Sequence, residues 1–329
     1  MAVALKSRQD GLPIIVQRQS FGQFAATWLT AVRPALKPRT WLRYEQLLRI
    51  HALPAFGRVQ ITKLTYQDLQ QRYAEMQANG SSAATVRQFH AVMHVVLRQA
   101  MKWDLVVRNV CDLVTPPRIA RTERQVLSPE QARQILHEAS GDSLEALYVL
   151  ALTSGMRQGE ILALHWKDVD LDHGTANVRL TLHRQKSGFV FAEPKSDRSR
   201  RQVALTAAAR KALKEHHIRQ AEARLQAGIA WQDLDLVFTT KSGAPLCGTH
   251  LLRDSFYPLL DRAGLPRMRF HDLRHSAATL LLGKGIHPKI VSEMLGHSTI
   301  AITLDLYSHV TPTMQREAAQ ALDSLLAGA

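Results

Sequence analysis

The chain has 329 residues, 46% of them hydrophobic, and carries a formal net charge of +14 with a sequence pI near 10.2. Such a length and apolar content suit a soluble globular protein of two domains, and the charge points to a polyanionic partner, with nucleic acid the first candidate. No run approaches the ~18 apolar residues of a membrane span, Asp10 and Pro13 break the stretch where a secretory signal needs its core, and Cys111 and Cys247 lack CxxC partners, so neither a disulfide framework nor a cysteine-rich zinc site is supported.

Charge is unevenly placed: residues 1–118 hold 16 Lys and Arg against 6 Asp and Glu, leaving 26 against 22 for the rest. Residues 1–17 show no periodicity and read as an extended or disordered arm. A first helix is expected from Ser20, with Phe21, Phe24, Ala25, Trp28 and Leu29 at helical spacing. A second covers Thr40 to Ile50. There Trp41, Tyr44, Leu47 and Leu48 can pack while Arg39, Arg43 and Arg49 stay outside, the arginines being candidates for phosphate contact. Core packing is the simpler reading of Trp41 and Tyr44, base stacking the other. Thr65 is a plausible N-cap for a third helix, Thr65 to Ala78, closed by Asn79-Gly80, and Ser82 to Lys102 supplies a fourth, carrying Arg87 and Arg98. Residues 116–125 are proline-rich and then charged, without an apolar stripe, which marks a linker between a helical domain over 18–115 and a second domain over 126–329.

Leu127-Ser128-Pro129-Glu130 restarts the chain with an N-cap, a proline at the first helical position and an acidic first turn. After the apolar run Leu144 to Leu152, Ser154-Gly155-Met156-Arg157-Gln158-Gly159-Glu160 places one arginine between two helical stretches, an expensive position for an unpaired charge. A structural ion pair with Glu160 is one reading of Arg157. Residues Thr175 to Leu182, Val190 to Ala192 and Gln202 to Leu205 are expected as strands of a small antiparallel sheet. Between the last two lies a basic turn, Pro194 to Arg201, in which Arg198, Arg200 and Arg201 read as contacts to phosphates or solvent and Lys195 by itself as part of a solvated loop. A long helix over Thr206 to Ala227, a short strand Leu236 to Phe238 and a helical segment Gly248 to Ala263 follow.

His271 and Arg274, three apart, share one helix face, while Leu273 can anchor that helix. Pro288 suits a helix start and Gly296 a helix end, which puts His297 in a turn. Thr303 and Tyr307 lie one turn apart, with Ile300 and Leu304 on the same side, so the phenol is expected beside an apolar face; alone, Tyr307 reads as a core aromatic. His271 and His275 have zinc-like i, i+4 spacing, but the Glu of a His-Glu-x-x-His motif is absent. Met314 to Leu326 keeps apolar residues at helical spacing and must bury a face, on its own domain or elsewhere. These pieces compose a mainly α fold: an all-helical N-terminal domain and a mixed α/β C-terminal domain with a small antiparallel sheet.

Taken in order, Ser-Gly-x-Arg-x-x-Glu (154–160), Pro-Lys-Ser (194–196), His-x-x-Arg (271–274), Leu-Gly-His-Ser (295–298) and Leu-Asp-x-Tyr-Ser-His (304–309) resemble the motifs of the tyrosine recombinases, the phage-integrase family of site-specific DNA recombinases. The helices before Pro116 resemble that family's core-binding (SAM-like) domain. The resemblance implies Arg157, Lys195, His271, Arg274, His297 and Tyr307 as catalytic residues with Glu160 in support. It further implies a 3′-phosphotyrosine intermediate, no cofactor or metal, double-stranded DNA as partner, and a homo-oligomer on DNA, a tetramer in the synaptic complex, with accessory DNA-bending proteins as candidate partners. Arg39, Arg43, Arg87, Arg98, Arg198 and Arg200 are candidate DNA contacts. Two rivals stay open, a catalytically silent DNA-binding protein on the same scaffold and a type IB-like topoisomerase. The expected location is the cytoplasm, and both cysteines are expected to be ordinary buried thiols.

Overall fold

The structure, a computed structural model, describes residues 19–120, 125–185, 188–193 and 200–307, and positions 319, 320, 323 and 326 of the tail. The N-terminal arm, most of the C-terminal segment and part of the linker lie outside the described residues. The chain divides into two compact units, Met1–Thr122 and Glu123–Ala329.

In the first unit, helix α1 (Phe21–Val32) begins at Ser20, whose hydroxyl accepts from the Gln23 N–H while the Gln23 side chain accepts from the Ser20 N–H. Helix α2 (Pro38–Leu47) starts two residues earlier than the apolar spacing suggests, because Pro38 is preorganised for a first helical position. It runs on through a π turn, Leu48–Ala52, into the short helix Leu53–Phe56. Helices α3 (Tyr66–Ala78) and α4 (Ala83–Lys102) are capped by Thr65 and Ser82. Val86, Phe89, Met93, Val96 and Ala100 of α4 recur every three or four residues and are buried with Phe21, Phe24, Trp28, Leu69 and Tyr73. Trp28 stacks on Tyr44 with ring centroids 5.8 Å apart, and the Trp41 indole donates to the Leu29 carbonyl at 2.8 Å, so both aromatics of α2 serve packing.

In the second unit, α5 (Pro129–Glu138) is capped by Ser128. Helix α6 (Glu145–Ser154) has no polar face from Ala146 to Leu152, and every residue there is buried. It packs on α8 (Ala207–Ala227) and α10 (Phe270–Gly283). Between α6 and α8 lie the short helix α7 (Gln158–Ile161) and strands β1 (Val169–Asp170), β2 (Thr175–Val178), β3 (Thr181–Gln185), β4 (Gly188–Ala192) and β5 (Arg201–Ala204). The single expected sheet is two: an antiparallel β1-β2-β5 sheet and a β3-β4 hairpin, since the chain breaks pairing at Arg179–Leu180. Leu236 to Phe238 is not a strand but one bridge between His165 and Leu236, because side chains of His216 and Gln220 take the carbonyls a ladder would use.

Helix α9 (Gly248–Leu251) continues through a π turn into Tyr257–Arg262, and α11 (Pro288–Leu295) and α12 (Ala301–Tyr307) follow α10. Of the cysteines, Cys111 is buried and its thiol is pushed up to about 12 by that burial. Cys247 is buried as expected but is not an ordinary thiol: burial raises its pKa, while the His250 N–H and the Arg184 guanidinium, 3.0 Å from its sulfur, outweigh that and lower it.

Helix α6 stops because Gly155 turns left-handed, with φ 61°, and a Cβ at this position would collide with the Leu295 side chain. Gly155→Ala combines backbone strain with a clash and is expected to destabilise the protein by about 1–3 kcal/mol. Urea unfolding measures this, and an unchanged midpoint would show that the turn is not constrained as described.

Candidate active site

Four segments meet beneath the Gly155 turn. Arg157 follows it and caps α7, its N–H donating to Glu160 Oε2 at 2.9 Å and its Nη1 to Glu160 Oε1 at 2.6 Å. Glu160 is therefore both the cap acceptor and the ion partner, the structural pairing that three-residue spacing permits. Arg157 Nη2 donates to the Gly296 carbonyl at 3.2 Å, so its fork is held from two sides while its side chain stays 38% exposed.

Helix α10 supplies the next groups. Its first turn is closed by Asp272, which accepts from the Arg269 N–H and guanidinium, leaving His271 and Arg274 on the face toward the turn. Arg274 is 2% exposed; Nη1 donates to the Gly155 carbonyl at 2.8 Å, while Nη2 is buried with no hydrogen-bond partner among the described residues. An orphaned donor on a buried guanidinium is costly unless an anion completes it. His271 is exposed at the rim, its ring 4.7 Å from that of His275 and perpendicular to it.

Helix α11 ends on Gly296 with φ 66°, which turns His297 inward. His297 is 7% exposed, and its Nδ1 lies 2.8 Å from the hydroxyl of Thr303, a fully buried residue of α12. The expectation of an apolar contact face on α12 is corrected here: Ile300 and Leu304 are exposed, and among the described side chains of the helix polar Thr303 is the buried one, because His297 supplies a partner for its hydroxyl. Tyr307 is the last residue of α12, one turn beyond Thr303, and its side chain lies outside what the structure describes.

Electrostatically the site carries more positive than negative charge, with Arg157, Arg201 and Arg274 around Glu160. Burial first, then Arg157 and Arg201, lower Arg274 to about 9, which leaves it charged at neutral pH. Burial, then Arg274 and Arg157, drive His297 down to about 3, so that imidazole is neutral. His271 is lowered by the same order of causes. Glu160 is the exception: burial alone would raise its pKa, but Arg201 and then Arg157 outweigh this and keep it ionised. Fixed guanidinium forks beside neutral imidazoles can bind a phosphodiester and stabilise added charge on its oxygens.

The sequence motifs thus converge for Arg157, Glu160, His271, Arg274 and His297. Lys195 and Arg198 lie outside the described residues. In the first unit Arg39, Arg87 and Arg98 are exposed, the last two on one face of α4, whereas Arg43 is half-buried and donates to Gln88 and Gln46. Arg200 is exposed and pairs with Glu193 at 2.5 Å. Arg201 is a correction: far from meeting solvent, it is buried against Glu160 at 3.0 Å, because residues 201 and 203 of β5 share the inward face. Thr303, which the sequence marks only by its spacing from Tyr307, is the second, as the partner of His297. The alternation Arg201, Val203, Leu205 is the signal available for the first; nothing local points to the second. Among the described residues no helix is long and apolar enough to cross a membrane.

Comparison with known proteins identifies the family. Residues 125–314 match the phage integrase family, and residues 20–77 match the phage integrase N-terminal SAM-like domain. A "Tyrosine recombinase XerC-like" protein of Caldanaerobacter subterraneus subsp. tengcongensis is 32% identical over 98% of this chain and 87% of its own. The ICEBs1 integrase of Bacillus subtilis is 27% identical, covering 93% of this chain and 83% of its own. Among solved structures, the Tn1549 transposon integrase in complex with transposon right end DNA superposes with a TM-score of 0.79 at 22% identity, over 94% of this chain and 100% of that one. A lambda integrase tetramer bound to a Holliday junction gives 0.64 at 16% identity, over 88% and 78%. At those identities the structures speak for the fold, mainly helical with small antiparallel sheets. By sequence, the chain belongs to the phage integrase family, the tyrosine-type site-specific DNA recombinases.

Proposed function

We propose that the protein cuts and rejoins double-stranded DNA through a 3′-phosphotyrosine intermediate, in the integration and excision of a phage or other mobile element, with Tyr307 as nucleophile. The observation that carries this reading is the pairing of Arg157 and Arg274 at one turn, with Nη2 of Arg274 lacking a partner among the described residues. The two guanidiniums take the nonbridging oxygens of the scissile phosphate. The Tyr307 oxygen attacks phosphorus, the bond to the 5′ oxygen breaks, His271 accepts the phenolic proton and Lys195 gives one to the departing 5′ oxygen. Nδ1 of His297 lies 2.8 Å from the Thr303 hydroxyl; in the tautomer whose Nδ1 accepts from that hydroxyl, Nε2 carries the proton and donates to the phosphate. One ester replaces another, so rejoining needs neither ATP nor a metal.

Residues 18–115 form a helical core DNA-binding domain and residues 126–329 the catalytic domain, joined by a linker over 116–125. Arg39, Arg43, Arg87, Arg98, Arg198 and Arg200 contact backbone phosphates. The related integrases captured on transposon-end DNA and as a tetramer on a Holliday junction support a DNA partner and a tetrameric synaptic complex. Accessory DNA-bending proteins assist in choosing direction, and the reaction takes place in the cytoplasm.

On a nicked suicide substrate the wild-type protein should accumulate a covalent adduct. Tyr307→Phe should lose it, by a factor of about 10³ or more as expected when a nucleophile is removed, while keeping DNA affinity; a binding-competent wild type without adduct favours the silent DNA-binding reading. Relaxation of a supercoiled plasmid lacking a recombination site would instead favour the topoisomerase. His271 must be neutral to accept a proton, and its pKa lies below the ordinary 6.5, so cleavage should persist through pH 6.5 and fall only in more acidic solution. A rate profile with its acid limb above 6.5, or one unchanged in His271→Ala, contradicts that role. Deleting the residues after Thr313 should weaken assembly on DNA, measured as loss of the slowest-migrating complex; undiminished assembly would mean the tail packs on its own domain.

A further inference from the structure

Arg201, the first residue of β5, stands six residues beyond Lys195 and is 7% exposed at its side chain. Strand alternation turns it inward with Val203. Its Nε donates to the Met294 carbonyl at 2.6 Å and its Nη2 to Glu160 Oε2 at 3.0 Å. That same oxygen accepts from the Arg157 N–H, and the carboxylate's other oxygen takes Arg157 Nη1. Met294 lies at the end of α11, two residues before Gly296, whose carbonyl holds Arg157 Nη2. Arg201 therefore grips both supports of Arg157: the carboxylate behind it and the helix end beside it.

A guanidinium buried this deeply is a poor source of stability, since desolvation consumes most of what the ion pair returns. What such a pair does supply is geometry. The fork of an arginine bonds two acceptors at fixed angles, which a lysine ammonium cannot reproduce. Arg201 also exceeds Arg157 in holding Glu160 ionised, and an ionised Glu160 is what accepts both donors of Arg157 at once.

We propose that Arg201 is a positioning residue of the reaction: through Glu160 and the Met294 carbonyl it orients the Arg157 fork toward the scissile phosphate, without touching the DNA itself. This rests on the reading of Arg157 as a phosphate-binding residue. Misplacing a catalytic group by about 1 Å costs up to about 10²-fold in rate, so single-turnover cleavage of the nicked substrate should fall about 10- to 100-fold in Arg201→Gln. Arg201→Lys, which keeps the charge beside Glu160 and with it the fold, should fall about 10-fold, as one ammonium cannot reproduce the paired geometry.

Three readouts separate this role from others. DNA affinity should stay within about threefold of wild type, whereas replacing an arginine that itself held a phosphate would weaken binding along with cleavage. In a Glu160→Gln background either Arg201 substitution should add less than about threefold, because the two act in series; independent, multiplying losses overturn the proposal. A substrate with sulfur in place of the departing 5′ oxygen, which leaves without a proton, should not restore the rate, and restoration would assign Arg201 to the Lys195 end of the reaction instead. A loss that vanishes on cooling together with a lowered melting temperature would mark Arg201 as structural only. Failure of the wild type to form any adduct overturns the proposed function and this inference with it, whereas a wild type that cleaves while the Arg201 and Glu160 losses multiply overturns this inference alone.

Discussion

A carboxylate with 3% of its surface exposed sits between two guanidinium groups, and the arrangement of the catalytic unit's polar centre follows from it. Glu160 cannot remain charged inside an apolar domain unless cations and N–H donors surround it. Arg157 supplies a backbone donor and a side-chain donor, and Arg201 supplies the second cation. Meeting that requirement draws the start of α7, the first residue of β5 and the end of α11 to one point. Glu160 and Met294 stand 134 positions apart in the chain, yet one guanidinium bonds both.

The opposite problem governs Arg274. Its helix is anchored in the core by Phe270, Leu273 and Ala277, which leaves the arginine only 2% exposed. One nitrogen finds the Gly155 carbonyl, a group freed because α6 ends in a left-handed glycine whose neighbours cannot continue the helix. The glycine thus serves two purposes, stopping the helix and exposing a carbonyl that holds a cation. Crowding of Arg157, Arg201 and Arg274 against a single carboxylate leaves net positive charge, and the neighbouring imidazoles respond by staying neutral. Such a centre is arranged in advance for an anion, which is how electrostatic catalysis avoids reorganisation at the moment of reaction.

The first unit works by a different division of labour. Trp28 packs on Tyr44 and Tyr73 edge-on to Phe89, while Tyr66 and Trp103 keep exposed surface, and the exposed face of α4 carries Arg87, Gln88, Arg98 and Lys102. That separation fits a surface whose affinity comes from charge, with the core kept rigid beneath it.

The residues decide locally wherever a feature is made by neighbours in the chain. Ser20 with Gln23, Thr65 with Asp68 and Ser128 with Gln131 set helix starts within four residues, and the spacing of His271 and Arg274 sets a shared face, so all were legible in the primary structure. The family motifs were legible for the same reason, each being compact. Tertiary structure alone decided the split of the strands into two sheets, the loss of a strand at Leu236 to side chains from α8, the burial of Arg201 and the bond between His297 and Thr303. In each of these cases the partner comes from another element, and which carbonyl or carboxylate satisfies a buried donor is settled by packing across the fold, a quantity that no local spacing encodes.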